Sequence, residues 1–185
     1  MNKPNLMDIE LNSSSNECPV LCSICGGECC RTKPGIDSPE RVLVAADPEL
    51  ALHDLLASGK WVLDRHRGTP IRAGVERTAE DADRIIYYPR PATSSEYARG
   101  VLLTMEGEGA GECVFLDPDV CSLSFEERPK MCRSLEPEVN FECWLSWTRL
   151  DAALAWLPWQ ELVSGVLRRL QDGDGAGTGE SGQGG

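Results

Sequence analysis

Four cysteines lie close together near the N-terminus, in the run CSICGGECCR that covers residues 22–31. Protein cores use cysteine singly as a small hydrophobic residue, so packing alone does not account for this cluster. Its spacing, C-x2-C-x3-C-C, lets one short loop point several sulfur atoms at a single centre. Three further cysteines, Cys113, Cys121 and Cys132, follow much later in the chain among turn-forming residues. The pattern predicts a metal site.

Zinc takes four tetrahedral ligands, and iron–sulfur clusters are commonly held by four thiolates. The two cysteine groups together contain more thiols than one such centre needs. One centre would leave spare thiols for other roles, whereas two metals or a binuclear site would use more of them. The adjacent pair Cys29–Cys30 bears on this choice, because neighbouring side chains in an extended segment point in different directions. The residues alone leave both arrangements open.

The chain has nine cysteines, an odd number, and residues 1–16 contain no apolar stretch of the kind found in secretory signals. We therefore predict a cytoplasmic, reducing environment, in which a disulfide framework is a poor explanation for the cysteines. The formal net charge is -12. Such an acidic surface repels phosphate groups, so we expect neither nucleic-acid nor membrane binding, and we expect a protein partner.

Patterns along the chain predict short helices and strands separated by loops. Asp47-Pro48-Glu49 is typical of a helix start, and the leucines that follow form an apolar face. Residues 61–63 and 85–88 are β-prone, whereas 67–83 and 89–99 are polar enough to predict long loops. Residues 112–123 predict a hairpin that turns near Pro118 and brings Cys113 level with Cys121. An amphipathic helix is predicted over 144–170, bent or split at Pro158.

The two cysteine blocks, CSICGGECCR and ECVFLDPDVCSLSFEERPKMCR, resemble the YkgJ-type cysteine-cluster family, whose members are described as zinc- or iron-chelating. The shared features are a CxxCxxxCC-like run, a later C-x-F-L block, a further cysteine and an RPxxCR ending. Similar clusters occur in flagellin lysine N-methylases, which are associated with an iron–sulfur centre. If the metal is iron, we favour a [4Fe–4S] cluster. The resemblance implies that the chelating residues are Cys22, Cys25, Cys29, Cys30, Cys113, Cys121 and Cys132.

Arginines stand beside the cysteines in both blocks. Four thiolates around a zinc ion leave a net negative charge that needs nearby donors or cations. We predict that Arg31, Arg128 and Arg133 supply them. Cys18 and Cys143 fall outside the matched blocks, and we assign them structural or accessory roles.

These observations predict a small, loop-rich α+β domain over residues 18–170, organised around a cysteine metal cluster, with a C-terminal amphipathic helix. Residues 1–17 and 171–185 are predicted to be disordered tails. The predicted function is the chelation of zinc or an iron–sulfur cluster, in support of electron transfer or protein modification. Two alternatives are a structural-zinc module for protein interaction and a thiol redox protein without metal. The sequence contains no recognisable catalytic acid–base pair and predicts no catalytic residue.

Overall fold

The computed structural model describes residues 27–32, 34–71, 79–104, 110–117, 120–136 and 144–173. Cys22, Cys25 and the predicted tail over residues 1–17 lie outside these ranges, as do Cys18 and Cys143. The predicted tail over 171–185 lies outside them from residue 174 onward.

Helices and short antiparallel strands make up the described ranges, so the molecule belongs to the predicted α+β class. The elements in chain order are α1 (Glu28–Thr32), α2 (Pro39–Val42), α3 (Pro48–Ala57), β1 (Trp61–Arg67), α4 (Ala79–Asp83), β2 (Ile85–Pro91), α5 (Ser94–Ala98), β3 (Leu116–Asp117), β4 (Val120–Cys121), α6 (Lys130–Arg133), β5 (Leu135–Glu136), β6 (Trp144–Leu145), α7 (Arg149–Trp156), a 3-10 turn (Leu157–Trp159) and α8 (Gln160–Gly173).

The antiparallel pair β1–β2 is the centre of the fold. A short segment extends the pair beyond β1, where Leu63 N–H donates to the Leu102 carbonyl at 2.8 Å and Thr104 N–H donates to the Leu63 carbonyl at 3.0 Å. Beyond β2, Asp37 N–H donates to the Pro89 carbonyl at 3.1 Å. These flanking segments satisfy backbone groups that an isolated two-stranded ribbon leaves open at its edges.

Two regions predicted as loops contain helices. Helix α4 lies within 67–83, and α5 lies within 89–99. Helix α5 begins with a capping box, in which the Thr93 side chain accepts from Glu96 N–H and the Glu96 carboxylate accepts from Thr93 N–H. This reciprocal pair satisfies two backbone donors at the helix start. The spacing T-x-x-E is its sequence signature, which the prediction overlooked.

The predicted start of α3 is confirmed. Asp47 caps the helix by accepting from Leu50 N–H at 3.0 Å, and Pro48 occupies the first turn. The chain leaves the helix at Gly59, whose φ of 70° lies in the left-handed region that favours glycine. Leu52 and Leu56, one turn apart, form the buried side of the helix.

The C-terminal helical region is split at Pro158, as predicted, but it begins later than predicted. Trp144 and Leu145 form strand β6, which pairs with β5. The helix starts after Thr148, whose side chain accepts from Asp151 N–H in a second capping box. A 3-10 turn containing Pro158 then joins α7 to α8, which continues to Gly173. Proline removes a backbone donor, and this accounts for the break.

The core lies between the strand pair and helices α3, α7 and α8, which pack against it. Four successive residues of β1, Trp61–Asp64, are buried, and successive strand side chains point to opposite faces, so both faces are covered. Among the described residues, Trp156 is the largest fully buried side chain, and its indole N–H donates to the Asp37 carbonyl at 2.7 Å. The C-terminal helices are thereby bound to the segment that follows the first cysteine block.

Candidate metal centre

Helix α1 carries the last two cysteines of the first block and is capped by the second block. The final carbonyls of a helix have no partner within it. In α1, Cys113 N–H donates to the Cys30 carbonyl at 2.8 Å, and Gly111 N–H donates to the Thr32 carbonyl at 2.9 Å. Two cysteines that are far apart in sequence are therefore neighbours through a direct backbone hydrogen bond.

The segment 112–114 is held on its other side by residues next to α5. Ser94 N–H donates to the Glu112 carbonyl at 2.8 Å, and Val114 N–H donates to the Ala92 carbonyl at 3.0 Å. Cys113 itself forms an antiparallel bridge with Thr93. Cys113 lies between these two partners and is 6% exposed, whereas Cys30 is half-buried.

Cys132 lies in α6, which is fastened to the chain just after α1. Met131 N–H donates to the Ile36 carbonyl at 3.0 Å, and Lys130 N–H donates to Asp37 Oδ1 at 3.0 Å. The Asp37 carboxylate is fully buried and also pairs with the Arg41 guanidinium. Burial raises the pKa of Asp37, against the opposing effects of Arg41 and of the backbone N–H groups. The helix that contains Cys132 is thus bound to residues 36 and 37, which follow the first cysteine block.

Cys121 lies in the second strand of the β3–β4 hairpin and is half-buried. It pairs with Leu116, so the expectation that Cys121 stands level with Cys113 is wrong. The reason is a turn that precedes the hairpin, in which Leu116 N–H donates to the Cys113 carbonyl at 3.0 Å. Because of this turn, Cys113 lies before the paired residues of the β3–β4 hairpin. Cys30 and Cys121 are free thiols.

The described thiols do not by themselves make a metal site. Within the described ranges there is no group of three or more His, Cys, Asp or Glu side chains placed to hold a metal ion. Of the other predicted ligands, Cys22 and Cys25 lie outside those ranges, and only the backbone of Cys29 is described. A four-thiolate centre therefore needs sulfur atoms from the segment that contains Cys22, Cys25 and Cys29.

The three predicted arginines have different surroundings. Arg31 Nη1 donates to Glu112 Oε2 at 3.1 Å, beside the junction of Cys30 and Cys113. Arg128 Nε donates to the Leu123 carbonyl at 3.3 Å, and Arg133 Nε donates to the Arg128 carbonyl at 3.1 Å. Arg31 is therefore next to the cysteine junction, while these contacts of Arg128 and Arg133 brace the loop that precedes Cys132.

A buried ion cluster in the core was not predicted from the sequence. It consists of Asp64, Arg90, Glu96 and Arg149. Arg90 is fully buried, and its two terminal nitrogens donate to the two Glu96 oxygens at 2.9 and 2.7 Å. Asp64 Oδ2 accepts from Arg90 Nε at 3.1 Å and from Arg149 Nη2 at 2.6 Å. Two carboxylates and two guanidinium groups balance the charge of the cluster.

The pKa shifts in the cluster follow from burial and pairing. Burial raises the pKa of Glu96, but hydrogen bonds from Arg90 and from Thr93 N–H outweigh it and lower the pKa below 4.5. Burial lowers the pKa of Arg149. Tyr88, whose hydroxyl accepts from Arg149 Nη2 at 3.1 Å, has its pKa raised by burial and by Asp64. The sequence signals were Asp64 directly after the apolar run 61–63 of β1, Arg90 as the one charged residue of β2, and the T-x-x-E box.

Comparisons with family models, with curated proteins and with solved structures found no match for the chain. None of the helices in the described ranges is both long and apolar enough to cross a lipid bilayer.

Proposed function

We propose that this protein chelates a metal, as zinc or an iron–sulfur cluster, through a cysteine constellation split between two distant parts of the chain. The observation that carries the proposal is the hydrogen bond from Cys113 N–H to the Cys30 carbonyl at 2.8 Å. It makes neighbours of the two cysteine blocks, which lie far apart in the sequence. Soft thiolates suit zinc and iron alike, so the donor chemistry fits either metal.

The hydrogen bonds that hold α6 to residues 36 and 37 support the same proposal. Backbone N–H groups of α6, the helix that contains Cys132, donate to the Ile36 carbonyl and to the Asp37 carboxylate, shortly after the last cysteine of α1. A site that takes ligands from both blocks requires such convergence, because metal–thiolate bonds are about 2.3 Å long for zinc. Cysteines used only for packing have no such requirement.

Charge near the junction is also favourable. A four-thiolate zinc or [4Fe–4S]²⁺ centre has a net negative charge, and Arg31 lies beside the junction of Cys30 and Cys113. Glu112 pairs with Arg31 and holds its guanidinium there. We propose that Arg31 offsets part of the charge of the bound centre.

We further propose that the chain is a relative of the YkgJ-type cysteine-cluster proteins and that it acts in the cytoplasm with a protein partner. The support is the order and spacing of the two cysteine blocks together with the acidic composition. Electron transfer and protein modification are the roles we favour if the centre is an iron–sulfur cluster.

The first experiment identifies the metal. Full-length protein is purified anaerobically and examined by absorbance and by elemental analysis of iron, sulfide and zinc. Broad visible absorbance with iron and sulfide supports a cluster. Colourless protein with stoichiometric zinc excludes the cluster and supports the structural-zinc alternative. Metal-free protein that keeps its fold and has a thiol of low pKa contradicts metal chelation and supports thiol redox chemistry.

The second experiment tests the ligand assignment. Cys25→Ser and Cys121→Ser are expected to lose metal and to destabilise the protein. Cys143→Ser is the matched control, because Cys143 lies outside both cysteine blocks. Metal content is measured per protein chain in each variant. Equal metal content in all three variants would refute the assignment.

A further inference from the structure

Gly35 lies against the sulfur of Cys132. A Cβ added to Gly35 would lie 2.5 Å from Cys132 Sγ, 3.2 Å from Cys132 N and 3.2 Å from Met131 Cβ. The first distance is shorter than side-chain atoms tolerate, so any larger residue must displace the sulfur or the helix that carries it. The thiol of Cys132, a predicted metal ligand, therefore occupies the space that a side chain at position 35 would need.

The backbone does not explain why glycine occurs at this position. Gly27 and Gly59 have φ values of 67° and 70°, in the left-handed region where glycine is favoured. Gly35 does not adopt a positive φ. It lies in the buried stretch 34–39, immediately before Ile36 and Asp37. The space taken by the Cys132 sulfur is the remaining physical reason for a residue without a side chain.

Helix α6 cannot easily shift to relieve a clash. Its first turn is held by the donation of Lys130 N–H to Asp37 Oδ1 and of Met131 N–H to the Ile36 carbonyl. Pro129, at the start of α6, makes no side-chain cap, so Asp37 supplies the cap from a distant segment. A residue larger than glycine at position 35 would therefore turn the Cys132 side chain into another staggered rotamer.

We propose that Gly35 is a positioning residue of the metal site, since its missing side chain gives the Cys132 sulfur its place against the chain that follows the first cysteine block. This inference rests on the proposed metal-binding function. Ligand distances in metal sites vary by only about 0.2 Å. A sulfur turned into another rotamer is lost as a ligand, even though the cysteine is still present.

The test is a cobalt titration of the reduced, metal-free, full-length protein. Co²⁺ bound by thiolates gives a sulfur-to-metal charge-transfer band whose intensity reports the number of thiolate ligands. Gly35→Ala is expected to weaken Co²⁺ binding by about 10–100-fold and to lower the band intensity per bound metal. Gly165→Ala is the matched control, because a Cβ there meets only the end of the Glu49 side chain, at 3.4 Å. Gly165→Ala is expected to bind as the unaltered protein does.

The same substitution made in a Cys132→Ala protein separates an effect on the Cys132 ligand from a general effect on the stability of the fold. In Cys132→Ala the sulfur is absent, so adding Gly35→Ala should leave the Co²⁺ affinity unchanged. The contacts at 3.2 Å with the backbone N of residue 132 and with Met131 Cβ remain, so a small fall in the thermal unfolding temperature is expected. Wild-type affinity and band intensity in Gly35→Ala would overturn the inference. An equal further loss in the Cys132→Ala background would also overturn it.

Two further outcomes are informative. If Gly35→Ala alone does not fold, the double variant Gly35→Ala/Cys132→Ala decides: a folded double variant supports the inference, and an unfolded one overturns it. If the unaltered protein binds neither Co²⁺ nor Zn²⁺ and is also purified without iron and sulfide, metal chelation itself fails. That result differs from a positioning failure, in which the unaltered protein binds metal and Gly35→Ala binds it equally well.

Discussion

Replacing Arg90 by methionine tests how much the buried ion cluster contributes to the stability of the fold. Arg90 is fully buried and donates to both Glu96 oxygens, to Asp64 Oδ2 and to the Pro91 carbonyl. Methionine retains an apolar side chain of similar length but has no donor. The substitution leaves two buried carboxylates with fewer donors, and this determines the expected cost.

The surviving contacts limit that cost. Glu96 still accepts from Thr93 N–H at 2.7 Å, and Asp64 still accepts from Arg149 Nη2 at 2.6 Å. Removing one partner of a buried ion pair costs about 3–5 kcal/mol, because the other charge remains in a medium that solvates it poorly. For a chain of this size, that loss corresponds to a fall in Tm of about 6–20 °C.

Urea denaturation followed by circular dichroism measures the free energy of unfolding. Arg99→Met is the matched control, because Arg99 is exposed and its Nε reaches only the Ser95 carbonyl at 3.4 Å. The control should change the free energy of unfolding by less than about 0.5 kcal/mol. A cost below about 1 kcal/mol for Arg90→Met would refute the reasoning, since the cluster would then contribute no more than a surface ion pair.

Three further predictions concern other buried polar groups. The folded-state pKa of Glu96 is below 4.5, so its stabilising effect is present above that pH and is lost as the pH falls through the folded pKa. Glu96→Gln should therefore flatten the fall of the unfolding free energy below pH 4.5; an unchanged slope in acid titration would contradict this. Asp37→Ala removes the acceptor for Lys130 N–H and should weaken metal binding at least about 10-fold in a chelator competition, whereas Asp37→Asn, which keeps an acceptor oxygen, should weaken it less. Equal affinities in these two variants would argue against the cap. Trp156→Phe leaves the buried Asp37 carbonyl without its indole donor and should cost about 1–3 kcal/mol in urea denaturation; no measurable cost would show that this bond is dispensable.

The segment 34–39 connects the proposed metal site to the core. Gly35 lies against the Cys132 sulfur, and the Asp37 carboxylate caps α6. The Asp37 carbonyl accepts from Trp156, whose side chain is fully buried. Loss of the metal should therefore loosen helix α7 as well as the cysteine segments, and hydrogen exchange of the α7 amides in protein with and without metal would measure this.

Local sequence signals predicted the elements whose boundaries depend on neighbouring residues. Asp47 and Pro48 begin α3 because an acidic cap and a fixed φ suit a helix start. Pro158 splits the C-terminal helices because it lacks a backbone donor. The hairpin near Pro118 was also predicted, but its register was not, since the pairing of Leu116 with Cys121 depends on a preceding turn.

Local sequence signals did not predict the elements that depend on partners far away in the chain. Trp144 and Leu145 fit an amphipathic helix by periodicity, yet they pair with β5 as a strand. Asp64 and Arg90 are charged residues at buried positions of β1 and β2, and only the fold brings Arg149 to Asp64 from the C-terminal region. Tertiary pairing outweighs local propensity in both cases.

The sequence by itself determined that this protein has two cysteine blocks with ligand-like spacing and a formal net charge of -12. Only the tertiary structure decided which residues of the two blocks meet. The carbonyls at the end of α1 need donors from outside the helix, and the N–H groups of Cys113 and Gly111 supply them. The place of the Cys132 sulfur against Gly35 was likewise decided by packing, because a contact between residues so far apart in the chain leaves no trace in the local pattern of either segment.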